Sequence, residues 1–470
     1  MSLLPQNVPV RVDSIELRSV PDAELVREAA FSPDGVAVAF VATRENRYVV
    51  HFANGAEVTY EHARKIVVGP RGEISACQLR IGADACIAIN GSTSRRFRWT
   101  SEPILSADGT SVGFYAMDPG APSPVQPSGQ TFYVSIDDAL EGPYESQGYI
   151  GVDSINGGFF YTANAGRASF LVVRGVRGPS FDQILQPVLC PRLGAIWYWA
   201  RRSCDWLLLC NGEIVDVSED CNTPAGPFFG SDGTHFGYWK RESGRWLAML
   251  DGRAMGTFEE PVNSIDSIAI SNSGDLAFAG QLNDEIYVTF MNEIYGPFDA
   301  VGSPVISRTG GHLAFVARRG PKGFVVMDGV PGEEYEAILP EEGELSNYLE
   351  DVPALSYDGS SVAYRVRRDR GYVIVWDGEV GDAFDFIRGS PTFSPATGRL
   401  VYAAVKGNKE YVVVDRTPGE PFDRVWTPNP HQDSAMIWRP VFVENGSFVV
   451  FGALSDGQLI WRSLRLTGTE

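Results

Sequence analysis

The chain has 470 residues and a formal net charge of −20 at pH 7. This length exceeds what one ordinary hydrophobic core supports, which excludes a single small domain and favours several domains or a repeat architecture. The excess of acidic residues argues against a general affinity for nucleic acid. No apolar run approaches the roughly 18 residues that a membrane-spanning helix needs, so we expect no membrane association.

Residue composition predicts an all-β chain. Glycine accounts for 50 residues and proline for 30, which favours frequent turns over long helices. Short runs rich in valine and aromatic residues recur between the turns, and no helical period persists. The N-terminal residues lack the basic start and apolar core of a secretion signal, so we expect a cytoplasmic protein.

A turn-and-strand unit recurs along the chain and predicts a β-propeller. The copy at residues 356–387 reads SYDGSSVAYRVRRDRGYVIVWDGEVGDAFDFI. Clear copies start at Phe31, Leu105, Gly230, Ile270, Ile306, Ser356 and Phe393, and weaker copies start near Glu73, Val152, Leu193 and Phe442. We count about eleven units at a spacing of roughly 35–50 residues, which is typical of propeller blades.

Each unit encodes four antiparallel strands. An Asp-Gly pair such as Asp358-Gly359 follows the first strand and supplies the positive φ angles of a tight hairpin. A polar loop separates the second strand from the third, and Asp377-Gly378 leads to the fourth. Because the central strands are apolar on both faces, each sheet must be covered by a neighbour on either side.

About eleven units exceed the usual ring of roughly four to eight blades, so we predict two propellers, residues 1–225 and residues 226–470. The last unit stops after its third strand, and the N-terminal VRVDSIELRSV has no unit of its own. We therefore expect residues around Val12 to Val20 to supply the missing strand by pairing near Leu459 to Leu464.

The FSPDG start and the YVVVDG…G…FD.V ending resemble the bacterial WD-like repeat of TolB-type propellers. The resemblance covers most of the chain and is strongest from about Gly230 to Val425. It implies the propeller fold and says little about function, because such propellers include periplasmic scaffolds and peptidase-associated domains.

Sequence motifs for catalysis or metal binding are missing. There is no G-x-S-x-G elbow, HExxH motif or P-loop, and the five histidines are scattered over different units. We predict no cofactor. The repeated acids Asp34, Asp108, Asp232 and Asp358 could serve as paired carboxylates of a glycosidase, but each precedes a turn glycine, so we interpret them as turn caps. The six cysteines form no CxxC pair, and we expect free thiols in place of disulfides or a zinc site.

The loops on the two faces of the disc differ in charge. The turns between first and second strands and between third and fourth strands share one face and are acidic, whereas several loops between second and third strands are basic. We predict that the second face binds a partner. Its predicted residues are Arg318, Arg319, Arg367, Arg368, Arg370 and Lys406, with Trp426 and Trp438 exposed on the adjoining connection 426–440.

These observations favour a non-enzymatic, protein-interaction scaffold. Its expected partner is another protein that docks through an acidic segment. Two alternatives stay open at this point. One is a propeller hydrolase or lyase that acts through carboxylates of the central channel, and the other is an accessory or inhibitory subunit of a protease or defence system.

Overall fold

A computed structural model describes residues 12–21, 24–32, 34–118, 131–219, 221–262, 268–335, 352–368, 371–427, 440–443 and 446–466. In these residues the chain folds as a β-propeller whose strands form eleven antiparallel sheets. Ten of the sheets are continuous segments of the chain. Within the described residues, no helix has the length and apolar character required to cross a bilayer.

The sheets are numbered here from the first continuous one. Sheet 1 contains Leu25–Phe31, Val38–Arg44, Arg47–His51 and Glu57–Tyr60. Sheet 2 contains His62–Val68, Ser75–Ile81, Asp84–Ile89 and Ser92–Thr93. Sheet 3 contains Trp99–Thr100, Ile104–Leu105, Val112–Asp118, Thr131–Ile136 and Ala139–Tyr144. Sheet 4 contains Ile150–Val152, Phe159–Ala165, Ala168–Val173 and Val176–Phe181. Sheet 5 contains Gln183–Ile184, Val188–Leu189, Ile196–Arg202, Asp205–Cys210 and Glu213–Ser218.

The same order continues through the second half of the chain. Sheet 6 contains Ala225–Phe229, Phe236–Glu242, Arg245–Leu250 and Arg253–Phe258. Sheet 7 contains Glu260–Pro261, Ile268–Ile270, Leu276–Leu282, Glu285–Phe290 and Glu293–Phe298. Sheet 8 contains Ala300–Val301, Val305–Ile306, Leu313–Arg319, Lys322–Met327 and Val330–Pro331. Sheet 9 contains Ala354–Leu355, Val362–Arg368, Gly371–Trp376 and Glu379–Val380. Sheet 10 contains Phe386–Phe393, Leu400–Lys406, Lys409–Val414 and Thr417–Pro418. Sheet 11 contains Arg424–Trp426, Val441–Val443, Phe448–Ser455, Gln458–Arg465 and Val12–Ser19.

Every sheet has four strand positions, and in five sheets two short segments share the first position. The first strand lies at the inner edge of its sheet, because first strands of consecutive sheets contact each other. Ala225–Phe229 of sheet 6 contacts Ile268–Ile270 of sheet 7, which in turn contacts Val305–Ile306 of sheet 8. The first strands therefore line the central channel.

Apolar clusters fill the spaces between sheets and connect them in one cycle. Among the described residues there are eleven such clusters, and each joins two sheets that are consecutive in the chain or joins sheet 11 to sheet 1. Both faces of each sheet are thereby buried against its two neighbours, as the apolar central strands require.

The predicted division into residues 1–225 and 226–470 is not confirmed. Sheets 5 and 6, which lie on either side of residue 225, share a core that contains the fully buried side chains of Trp199, Trp206 and Tyr238. Rings divided at residue 225 would require the second face of sheet 5 to pack on an earlier sheet, whereas this face packs on sheet 6. The described contacts therefore continue across the expected boundary.

The N-terminal strand pairs with the last strand, as the sequence predicts. Val12–Ser19 runs antiparallel to Gln458–Arg465, with Val12 opposite Leu464 and Ser19 opposite Gln458. Phe31 of sheet 1 is completely buried between Trp426 and Trp461 of sheet 11, with ring centroids 6.2 and 6.1 Å away. The N-terminal strand therefore completes sheet 11, and the contact between sheets 11 and 1 closes the cycle of sheets.

The cysteines only partly match the prediction of free thiols. Cys77, Cys86 and Cys190 are buried free thiols, and Cys210 is a partly exposed one. For Cys204 and Cys221 the prediction is wrong, because they form a disulfide. Cys204 lies in a turn of sheet 5 and Cys221 in the connection to sheet 6, and these two loops bring their Cα atoms to 4.6 Å.

Candidate interaction surfaces

The repeated Asp-Gly acids are turn caps, which confirms their interpretation. One carboxylate oxygen of Asp108 accepts hydrogen bonds from the Thr110 N–H at 3.1 Å and from two hydroxyl groups. Asp358 does the same with the Ser360 N–H at 3.1 Å, and these bonds lower its pKa to about 2. Asp34 and Asp232 likewise accept from the backbone two residues further on. These carboxylates are occupied in holding hairpins.

A second repeated acid has a structural role that the sequence analysis missed. In the Phe-Asp pair that ends a unit, Phe298 packs on Phe315 of the next sheet with a centroid distance of 5.6 Å. The carboxylate of Asp299 accepts the Gly320 N–H at 2.6 Å, in the turn between second and third strands of sheet 8. Asp385 caps the corresponding turn of sheet 10 through the Gly407 N–H at 2.6 Å. In these two cases the pair connects one sheet to the next.

These capping acids lie on the face that the sequence analysis describes as basic. Their charges partly offset the arginines and lysines of the same turns, and Asp423 forms an ion pair with Lys409 at 2.6 Å. Lys240 is similarly paired with Asp216 at 3.0 Å. The contrast between the two faces is thus weaker than the loop sequences indicate.

Three of the predicted cations keep exposed charges on this face. Arg319, Arg367 and Lys406 are exposed, and they lie at the ends of the second strands of sheets 8, 9 and 10. Among the described residues none of the three forms an ion pair. The Arg319 guanidinium lies over the rings of Phe298 and Phe324, 5.5 and 5.8 Å from their centroids, which orients it. We call these three residues the basic patch.

The remaining predicted residues of this face divide into two groups. Arg318 is partly buried beside the patch, and Arg368 ends its strand. The side chain of Arg368, all of Arg370 and all of Trp438 lie outside the described residues. Their predicted exposure stays a prediction.

The prediction that Trp426 is exposed is wrong. Only 5% of its surface is accessible, because it belongs to the first strand of sheet 11 and not to the loop that follows. It pairs with Gly452, where a side chain would collide with Phe31: a Cβ there would lie 2.0 Å from the Phe31 ring. Trp426 therefore stabilises the contact between sheets 11 and 1 and is not available to a partner.

Two acids with raised pKa values are candidates for catalytic carboxylates, and both are engaged with the backbone. Glu28 accepts the N–H groups of Lys65 and Ile66 at 2.9 and 2.8 Å, and burial raises its pKa. Glu410 accepts the Val425 N–H at 2.8 Å and pairs with Arg388 at 2.7 Å, and burial raises its pKa as well. Each carboxylate joins its sheet to the following one, which is a structural role. In the described part of the chain, no three His, Cys, Asp or Glu side chains are grouped to hold a metal ion.

An apolar groove of about 1120 Å³ lies on the channel wall across sheets 5 to 8. We call it the channel groove. Its sides come from the first strands of these sheets and their flanking residues, with Leu189, Phe229, Ile270 and Val305 partly exposed along it. Trp246, from the third strand of sheet 6, also contributes. Such a concave apolar surface is typical of ligand sites.

Linked turns of the neighbouring sheets form one end of the channel groove. The Ser231 hydroxyl donates to Asn272 Oδ1 at 2.8 Å, and the Asn272 N–H donates to the Arg308 carbonyl at 3.1 Å. These bonds fix the backbone of Arg308, whose side chain is exposed. Arg308 is not among the residues predicted from the sequence, because the arginine of a single turn has no recognisable pattern until the fold places it beside the groove.

Comparisons with known proteins show only distant likenesses in structure. No protein-family model and no curated protein sequence matches the chain. It is similar in structure to the Dos1 propeller, with 11% identity, a TM-score of 0.31, and coverage of 79% of this chain and 93% of that one. TolB from Acinetobacter baumannii shows 14% identity and a TM-score of 0.26, covering 70% of this chain and 79% of its own. Kluyveromyces lactis Hsv2 shows 11% identity and a TM-score of 0.30, with coverage of 56% of this chain and 94% of its own. At these values the likenesses carry no argument about function.

Proposed function

We propose that the protein is a non-enzymatic scaffold that binds an acidic segment of another protein through the basic patch. The observation that carries this proposal is the repetition of an exposed cation without an ion-pair partner, among the described residues, in three consecutive sheets: Arg319, Arg367 and Lys406. Sheets 8, 9 and 10 are neighbours, so the three charges face one partner.

The framework beneath the patch is rigid, which favours this role. The second strands that end in these residues have completely buried centres, such as Phe315 in sheet 8 and Ala404 in sheet 10. The turn beside Arg319 is held by the Asp299 cap. A partner therefore meets charges whose backbone is already ordered, and binding costs less conformational entropy. Exposed rim charges mainly raise the association rate.

The test compares two triple variants. In the first, R319E/R367E/K406E reverses the basic patch. The matched control, R47E/R80E/R167E, reverses three exposed arginines at the same kind of turn in sheets 1, 2 and 4, and produces the same change in net charge. Partners are first captured with the intact protein from an extract of its native host, and are then titrated with both variants in a range of salt concentrations.

Reversal of the patch should weaken partner binding by roughly tenfold or more and remove most of the salt dependence, because like charges then face each other. The control should bind as the unaltered protein does. Equal losses in the two variants would mean that only net charge matters. Unchanged binding of the first variant would contradict the proposed face.

A further inference from the structure

We propose a second site, independent of the basic patch: the channel groove binds an amphiphile that has an aliphatic chain and a single anionic head group. A long-chain carboxylate is the simplest molecule of this kind. The aliphatic chain would lie along the inner strands of sheets 5 to 8, and the head group would meet Arg308 at the end of the groove.

The charge pattern of the lining supports an anionic head group. Of the 23 described residues that line the groove, Arg308 is the only one with a charged side chain. No hydrogen bond or ion pair of its guanidinium occurs among the described residues. Two described acids of the adjoining turns already accept hydrogen bonds: Asp275 from the Gly311 N–H at 3.0 Å, and Asp232 from the Thr234 N–H at 2.9 Å. A ligand carboxylate at this end of the groove would face the Arg308 guanidinium, which has no ion-pair partner among the described residues.

The prolines of the lining argue for an aliphatic chain over an extended peptide. A peptide that adds to an inner edge strand needs backbone N–H donors along that edge. Five lining residues are prolines, which have no N–H group: Pro191, Pro224, Pro227, Pro261 and Pro304. Two of them lie in or directly before the edge strand Ala225–Phe229. An aliphatic chain requires no such donors and gains from contact with the apolar side chains.

The size of the groove fits this class of ligand. Small-molecule sites usually measure about 300–1,000 Å³, and the channel groove lies slightly above this range with about 1120 Å³. Trp246 lines it, so an occupant should also change tryptophan fluorescence.

The experiment titrates the intact protein with dodecanoate below its micelle-forming concentration, using calorimetry and tryptophan fluorescence. Dodecanol and dodecyltrimethylammonium serve as neutral and cationic probes of the same chain length. The variants are Arg308→Gln and Arg308→Glu, with Arg253→Gln as the control, because Arg253 is an exposed arginine on the outer strand of sheet 6. Thermal unfolding of each variant verifies that the fold is intact.

Dodecanoate should bind saturably, with one site per chain, and more tightly than the other two probes. Arg308→Gln should weaken dodecanoate binding roughly tenfold and leave dodecanol binding within about twofold, since only the charge-assisted contact is lost. Arg308→Glu should invert the preference in favour of the cationic probe. Equal binding of the three probes, no effect of the Arg308 variants, or an equal effect of Arg253→Gln would overturn the proposal. Binding of an apolar peptide at this site without any binding of dodecanoate would overturn it too.

Discussion

The variant Phe31→Ala tests whether a buried apolar contact between sheets 1 and 11 joins the two ends of the chain. Phe31 is completely buried, and Trp426 and Trp461 of sheet 11 flank its ring. Truncation of a buried Phe costs about 3–5 kcal/mol of unfolding free energy. We expect a value of about 4 kcal/mol, because Gly452 lies directly against the ring and has no side chain that could fill the cavity.

A double-mutant cycle separates this contact from the general loss of a large side chain. Phe31→Ala and Trp461→Ala are measured singly and together by denaturant unfolding, followed by far-ultraviolet circular dichroism. The two rings lie 6.1 Å apart, so we expect a coupling of about 0.5–1.5 kcal/mol. Phe315→Ala is the matched control, since Phe315 is equally buried but lies between sheets 7 and 8. A loss for Phe31→Ala that is far below the control's, together with no coupling, would refute the closed contact.

Three further predictions follow from individual contacts. Gly35→Ala should destabilise the protein by at least about 1 kcal/mol in thermal unfolding, because Gly35 has φ of +74° and a Cβ there would collide with the Trp461 indole; an unchanged melting temperature would contradict this packing. Replacement of both Cys204 and Cys221 by serine should lower the free energy of unfolding by about 3 kcal/mol. A thiol titration of the unfolded, oxidised protein should find two fewer free thiols than its six cysteines. The turn bonds lower the pKa of Asp358 from 3.8 to about 2, so its contribution to stability is present above pH 3.8 and is lost as the pH falls towards 2; Asp358→Asn should reduce this part of the acid sensitivity, and equal acid profiles would contradict the cap.

The local structure could be predicted because each unit contains the residues that determine its own turns and strands. The Asp-Gly turns, the four strand positions and the caps at Asp108 and Asp358 depend on residues a few positions apart. The closing strand Val12–Ser19 was also predictable, since a last unit with three strands leaves one sheet edge unpaired.

The arrangement of the sheets in one or two rings stays a prediction, because a repeat contacts only its neighbours and no motif encodes the small rotation between sheets. Trp426 was misassigned because a buried first strand and an exposed connection look alike in a stretch of three residues. The Cys204–Cys221 disulfide could not be predicted, because it depends on which loops the fold brings close together. Arg308 becomes a candidate binding residue only when the fold places the inner strands of four sheets side by side.

The central structural claim is that all eleven sheets form one cycle around a common channel. Electron cryo-microscopy of the purified protein tests it most directly, since end-on views show individual blades. The contacts between sheets 5 and 6 and between sheets 11 and 1 predict a single ring of eleven radial sheets with a continuous channel wall across residue 225. Images of two smaller rings, each closed on itself and joined near residue 225, would contradict the account.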